Sequence, residues 1–210
     1  MSLFVPSRRI IWFLDTDKVV DDLVANIRCL DEVDSVEAFH EASVVAEKLK
    51  ANSSNELPSI IVSDMIGVEP ISGTDQSVVR TLRNCSPLTM FLLHSFSAFD
   101  TEGLPDKLKQ TRLIDDHLRK TSSLEKFSNL IERWNARWND EFLYKMRCYI
   151  NSCGHADTPY FPDESGSYLS VADIYREIVV GESDIGLEQE KAWREVLDNP
   201  PIYSLDHEPS

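Results

Sequence analysis

Pro58-Ser59-Ile60-Ile61-Val62-Ser63-Asp64 is the stretch on which the fold turns. Ile60–Val62 is an unbroken apolar run, as in a strand whose sheet is covered on both faces, and it delivers a carboxylate at its end. The opening segment Arg8-Arg9-Ile10-Ile11-Trp12-Phe13-Leu14-Asp15 does the same. A third strand, Leu113–Leu118, lies in Asp115-Asp116-His117-Leu118-Arg119-Lys120 and brings a lysine to its end. Strands that end in Asp15, Asp64 and Lys120 supply what magnesium and a phosphoryl group on an aspartate require.

Between these strands the apolar spacing switches to the helical period. Val19, Leu23 and Ile27 share a side, and Val45 and Leu49 do so within Ala42–Lys50. Val33–Phe39 alternates as a short strand, Val78–Leu82 falls on a helix, and Leu88–Leu93 is the most apolar strand. Pro105–Gln110 reads as a short or irregular helix. Ser122-Ser123-Leu124-Glu125 has the form of a capping box, opening a helix through Leu124, Phe127, Ile131, Trp134 and Trp138. Five strands alternating with five helices predict an α/β fold, a doubly wound parallel sheet, with its site at the carboxyl ends of the strands.

Composition narrows the function. The 210 residues suit one domain with an extension, and 42% hydrophobic content is enough for a core. No apolar run has the roughly 18 residues of a membrane span, and Met1–Arg9 has no apolar stretch of signal-peptide length, so a cytoplasmic protein is expected. The scattered Cys29, Cys85, Cys148 and Cys153 then read as reduced thiols. A net charge of -15 argues against DNA, which asks for a basic face.

In their order and spacing these segments resemble the receiver domain of response regulators, over roughly residues 7–135. The resemblance implies a flavodoxin-like sheet of strand order 2-1-3-4-5. Pro58–Asp64 resembles the segment that ends in the phosphorylated aspartate. Gly73, nine residues on, resembles the loop glycine that follows it, displaced by about one position. Asp115–Lys120 resembles the family's Asp-Asp-Tyr-Leu-x-Lys-Pro, with Thr121 in place of proline. Asp64 is then the phosphoacceptor in a two-component phosphorelay. Mg2+ falls to Asp15, Asp64, Asp17 and a backbone carbonyl near Ile66, and Lys120 pairs with a phosphate oxygen. Ser95 supplies the hydroxyl that senses the added charge, with His94 as the competitor for that place. The implied partner is a histidine kinase or phosphotransfer protein.

The departures point another way. Receivers carry two adjacent acids after the first strand, and this chain has Asp15-Thr16-Asp17. The Met-Pro pair after the phosphoacceptor and the Thr-Ala of the fourth strand are missing. Singly, Asp15 and Asp64 are equally explained as cap or turn residues, and Lys120 as a solvated lysine. An unphosphorylated pseudo-receiver serving as an adaptor is therefore the second expectation. No glycine-rich phosphate loop or nucleophile–base spacing suggests an enzyme beyond self-phosphorylation and self-dephosphorylation.

Residues 136–198 read as a helical extension for output or dimerisation, and 199–210 as a disordered tail. Apolar residues continue through Trp138, Phe142, Met146 and Tyr149 to a stop at Gly154. This predicts one helix from Ser122, about thirty residues or 45 Å long. Its later half needs another surface, either a homodimer or a helical subdomain of the same chain. Ala156–Ser167 reads as a linker. Ser170-Val171-Ala172-Asp173 opens a helix that ends at Gly181, and Leu187–Leu197 forms another, with Trp193, Val196 and Leu197 on one side. These helices are expected to meet a protein partner. Residues 136–210 hold 6 Lys and Arg against 15 Asp and Glu, which disfavours a DNA-binding output. Cys148, Cys153 and His155 make at most a weak zinc pattern.

Overall fold

A computed structural model describes residues 9–17, 19–28, 33–51, 57–96, 108–162 and 166–198. Five parallel strands, β1 (Ile10–Leu14), β2 (Ser35–Phe39), β3 (Ile60–Ser63), β4 (Met90–Ser95) and β5 (Asp116–Arg119), form one sheet in the order β2-β1-β3-β4-β5. The doubly wound α/β fold is the one the alternating pattern predicts, and the strand order is the one the resemblance implies. Helices α1 (Val19–Ile27), α2 (Ala42–Ala51), α3 (Val78–Cys85) and α4 (Leu124–Trp138) cover it. Side chains alternate across each strand. Ile11 and Phe13 of β1 face Val20, Val24 and Ile27 of α1 and Phe127 and Ile131 of α4, while Trp12 and Leu14 face Val45 of α2 and Val79 and Leu82 of α3. The expected elements Val33–Phe39, Ala42–Lys50 and Val78–Leu82 thus correspond to β2, α2 and α3.

Two strands begin later than their apolar runs suggest, at Met90 and Asp116. Thr89 closes a turn onto Ser86, with a 3.1 Å hydrogen bond. Ahead of β5, Asp115 Oδ2 accepts from Phe91 N–H at 2.7 Å, and Asp115 N–H donates to Phe91 O at 3.0 Å. This side chain ties the two strands together before the ladder starts. The later start of β4 brings His94 and Ser95 into the strand. Of Pro105–Gln110, only the last three residues are described, in a helical turn.

The long helix from Ser122 is two helices. Ser123, one residue later than expected, caps α4. The chain breaks at Asn139-Asp140, where Asp140 Oδ1 accepts from Leu143 N–H at 3.0 Å and starts α5 (Glu141–Cys153). A side-chain acceptor at this position competes with continued helix. Of the stripe meant for a second copy, Trp138 and Phe142 join one apolar core with Trp134, Tyr175 and Ile178, Met146 packs against it, and Tyr149 stays exposed. The continuous 45 Å helix expected from Ser122 is thus replaced by α4 and α5.

The expected linker also carries structure. Strands β6 (Pro159–Pro162) and β7 (Tyr168–Ser170) form an antiparallel hairpin, anchored by buried Leu169 and by Trp193 Nε1 donating to Tyr160 Oη at 3.1 Å. Helix α6 (Val171–Val180) has the expected Ser170–Asp173 capping box and ends on Gly181 at φ 70°. On α7 (Asp184–Asp198) only Trp193 of the three expected apolar residues is buried, and Val196 and Leu197 are exposed. Ion pairs seat this helix instead, Arg137 with Glu190 at 2.5 Å and Arg194 with Asp140 at 3.1 Å. Residue 136 falls inside α4, so a single core crosses the expected division. Cys29 and the tail 199–210 lie outside the described residues. No helix among the described residues is long and apolar enough to cross a membrane.

Candidate functional site

The register of the sheet brings three sequence-predicted residues together. Leu14 of β1 pairs with Ser63 of β3, so Asp15 and Asp64 occupy the next rung on adjacent strands. Lys120 follows the last residue of β5. Its Nζ lies 2.5 Å from Asp15 Oδ2 and 4.0 Å from Asp64 Oδ2. All three side chains are largely buried, Lys120 at 11% and Asp64 at 14% exposure.

The two carboxylates are held differently. Asp15 Oδ1 accepts from Asp17 N–H at 2.9 Å while Oδ2 meets Lys120, so both oxygens are engaged. Asp64 Oδ1 accepts from Ile66 N–H at 3.0 Å and caps the single 3-10 turn Met65–Gly67. Its cap role is thus real, and it leaves Oδ2 turned toward the ammonium. The turn packs tightly: a Cβ on Gly67 would stand 2.2 Å from Ser63 Oγ. Gly73 adopts a φ of 78°, the left-handed conformation that favours glycine, in open space.

Burial first, and the Asp15 carboxylate second, push Asp64 from an ordinary 3.8 up to about 6, against the pull of Ile66 N–H and Lys120. The folded state therefore favours the protonated form. That contribution is complete below pH 3.8 and lost as the pH rises through about 6. Asp64→Asn imitates the neutral acid at every pH. It is expected to stabilise the protein by about 1–2 kcal/mol at pH 8 and to change little at pH 4, as followed by urea unfolding. Equal stability of the two proteins at pH 8 would refute the charge repulsion.

The other candidates surround this centre. Ser95 is the last residue of β4 and is buried. His94 points to the opposite side, its ring 5.2 Å from that of Phe127. Burial first and the Lys120 cation second push His94 down to about 4, so it is neutral at pH 7. Thr16 and Asp17 are exposed, and Asp17 reaches the centre through its backbone N–H. Among the described residues, no three His, Cys, Asp or Glu side chains converge as a metal cluster. Cys148, Cys153 and His155 do not assemble a zinc site either, and all three are exposed.

The sequence reading missed the role of Asp115. Its carboxylate receives Arg83 at 2.9 Å and Arg176 of α6 at 2.8 Å. It belongs to the amino end of the sheet, away from Asp64, and binds the C-terminal extension to the strands. The only signal for this in the sequence is an arginine at the buried face of α6.

No protein-family model matches the chain, and no curated protein matches it. Among solved structures, the chain resembles an adenylate cyclase from Rhodopirellula baltica at 16% identity and a TM-score of 0.51, covering 68% of this chain and 97% of that one. It also resembles the signal receiver domain of an HD domain-containing protein from Pseudomonas fluorescens Pf-5 at 14% identity and a TM-score of 0.50, covering 64% and 92%. The sheet and its helices thus have the receiver fold, followed by further helices.

Proposed function

We propose that this chain is a receiver-type signalling protein in which Asp64 accepts a phosphoryl group from a histidine kinase or phosphotransfer protein in the cytoplasm. The observation that carries the reading is the convergence of Asp15, Asp64 and Lys120 at the carboxyl ends of β1, β3 and β5 of one sheet. Asp64 Oδ2 attacks phosphorus as a carboxylate, the bond to the leaving group breaks, and an acyl phosphate forms. Lys120 is placed to meet the phosphoryl oxygens. Two carboxylates fit magnesium, a hard cation bound by one or two carboxylates with waters. Asp15 and Asp64 would hold it, and when bound it offsets the repulsion between Asp64 and the phosphoryl oxygens.

The added charge of about -1.5 to -2 would then alter contacts with a protein partner. The exposed Leu187, Val196 and Leu197 of α7 support a surface for such contacts in residues 136–198. The second reading is an unphosphorylated adaptor, favoured by one observation: both Asp15 oxygens are already engaged, and Thr16 stands exposed where receivers have an acid.

Intact mass after incubation with acetyl phosphate and magnesium decides between them. A gain of about 80 Da, one phosphoryl group, is expected for the native protein and none for Asp64→Asn. No gain in either, under conditions that label an ordinary receiver, would establish the adaptor.

A further inference from the structure

Phe96 borders this site with 57% of its surface exposed, while the Lys120 side chain beside it is only 11% exposed. Their proximity follows from the sheet. Ser95 and Arg119 are the last paired residues of β4 and β5, so Phe96 and Lys120 are the next on each strand. The Lys120 Nζ lies 5.6 Å from the centre of the Phe96 ring, within range of a cation–π contact. The same ammonium lies 2.5 Å from Asp15 Oδ2 and 4.0 Å from Asp64 Oδ2.

We infer that Phe96 is a shield and positioning residue for this site. The ring restricts access of water and small reagents to Lys120, and its face favours the charged ammonium in the position that meets Asp15. Because Asp64 Oδ2 lies 4.0 Å from the same ammonium, the ring also slows small phosphoryl donors. The second consequence rests on the phosphoacceptor reading, and the first does not. In the reaction with acetyl phosphate, the phosphorus–oxygen bond to acetate breaks as the bond to Asp64 Oδ2 forms. Acetate leaves with the electron pair, and no proton is transferred.

Two readouts separate these parts. Reductive methylation with formaldehyde reports the accessibility of Lys120, with Lys145, whose side chain is 62% exposed, as an internal standard. Phe96→Ala is expected to speed methylation of Lys120 relative to Lys145 by about two- to fivefold, the factor matching one cation–π contact. Phe96→Tyr, which keeps the ring, should stay at the native rate. Equal rates in the native and Ala proteins would overturn the inference. In the acetyl phosphate reaction, Phe96→Ala should label Asp64 faster by a similar factor, and an unchanged rate would overturn the access role. If neither protein is labelled while Lys120 becomes more reactive, the phosphoacceptor reading fails and the shield stands.

Discussion

Arg176→Met is expected to remove about 3–5 kcal/mol of stability, the cost of stripping one partner from a buried ion pair. The Arg176 and Asp115 side chains are 4% and 6% exposed and meet at 2.8 Å. The same carboxylate accepts from Arg83 at 2.9 Å and from Phe91 N–H at 2.7 Å. Arg176 also reaches Asp173 at 2.5 Å and the Pro87 carbonyl. Burial first, and the neighbouring Arg176 cation second, lower Arg83 to about 10, so the two guanidiniums depend on Asp115 between them. Methionine fills much of the volume and leaves the Asp115 carboxylate without one of its charged donors. Typical domains have only about 5–15 kcal/mol in all, so the urea midpoint should fall steeply. The double variant Arg176→Met/Asp115→Leu should lose less than the sum of the two single losses, because the Arg176–Asp115 contact is then removed only once, while Arg83 loses its carboxylate as in the Asp115 single variant. A loss below about 1 kcal/mol in the single variant would mean that α6 is held by its apolar face alone.

That node also shows where sequence reading stopped. The sheet was legible because Ile10–Leu14 and Ile60–Val62 are apolar without interruption, which only a sheet covered on both faces permits. The site was legible for the same reason: strands of known direction deliver Asp15, Asp64 and Lys120 to one edge. The C-terminal third was not. Its apolar period runs through Asn139-Asp140 unbroken, and a cap is a local competition that periodicity does not register. Pro159–Pro162 looks like a linker because proline has no N–H to donate, yet a two-stranded hairpin leaves outer positions where none is needed. Asp115 carried two meanings. Its place in an Asp-Asp stretch suggested the site, while its partner Arg176 lies 61 residues away in sequence and is brought to it only by tertiary packing.

Lys120→Met tests the centre itself through its pH dependence. The cation is 2.5 Å from Asp15 Oδ2 and 4.0 Å from Asp64 Oδ2, so its removal leaves two buried carboxylates facing each other. A loss of about 2–4 kcal/mol is expected at pH 8. The sign follows from Asp64. With Lys120 present, its folded value of about 6 already exceeds 3.8, so stability falls as the pH rises through that interval. Lys120 is one of the groups pulling the value down; without it the value climbs, and the fall continues to higher pH. Near pH 5 the carboxyl is protonated in the folded variant, so much of the deficit should vanish there. Asp64→Asn in the Lys120→Met background should restore part of the loss at pH 8, because the repulsion between the two carboxylates is gone while Asp15 still lacks its cation. A deficit of the same size at pH 5 and pH 8, unrelieved by Asp64→Asn, would show that the lysine stem contributes through packing. The pair of carboxylates would then not be the strained, cation-seeking centre on which the proposed phosphoryl acceptance depends.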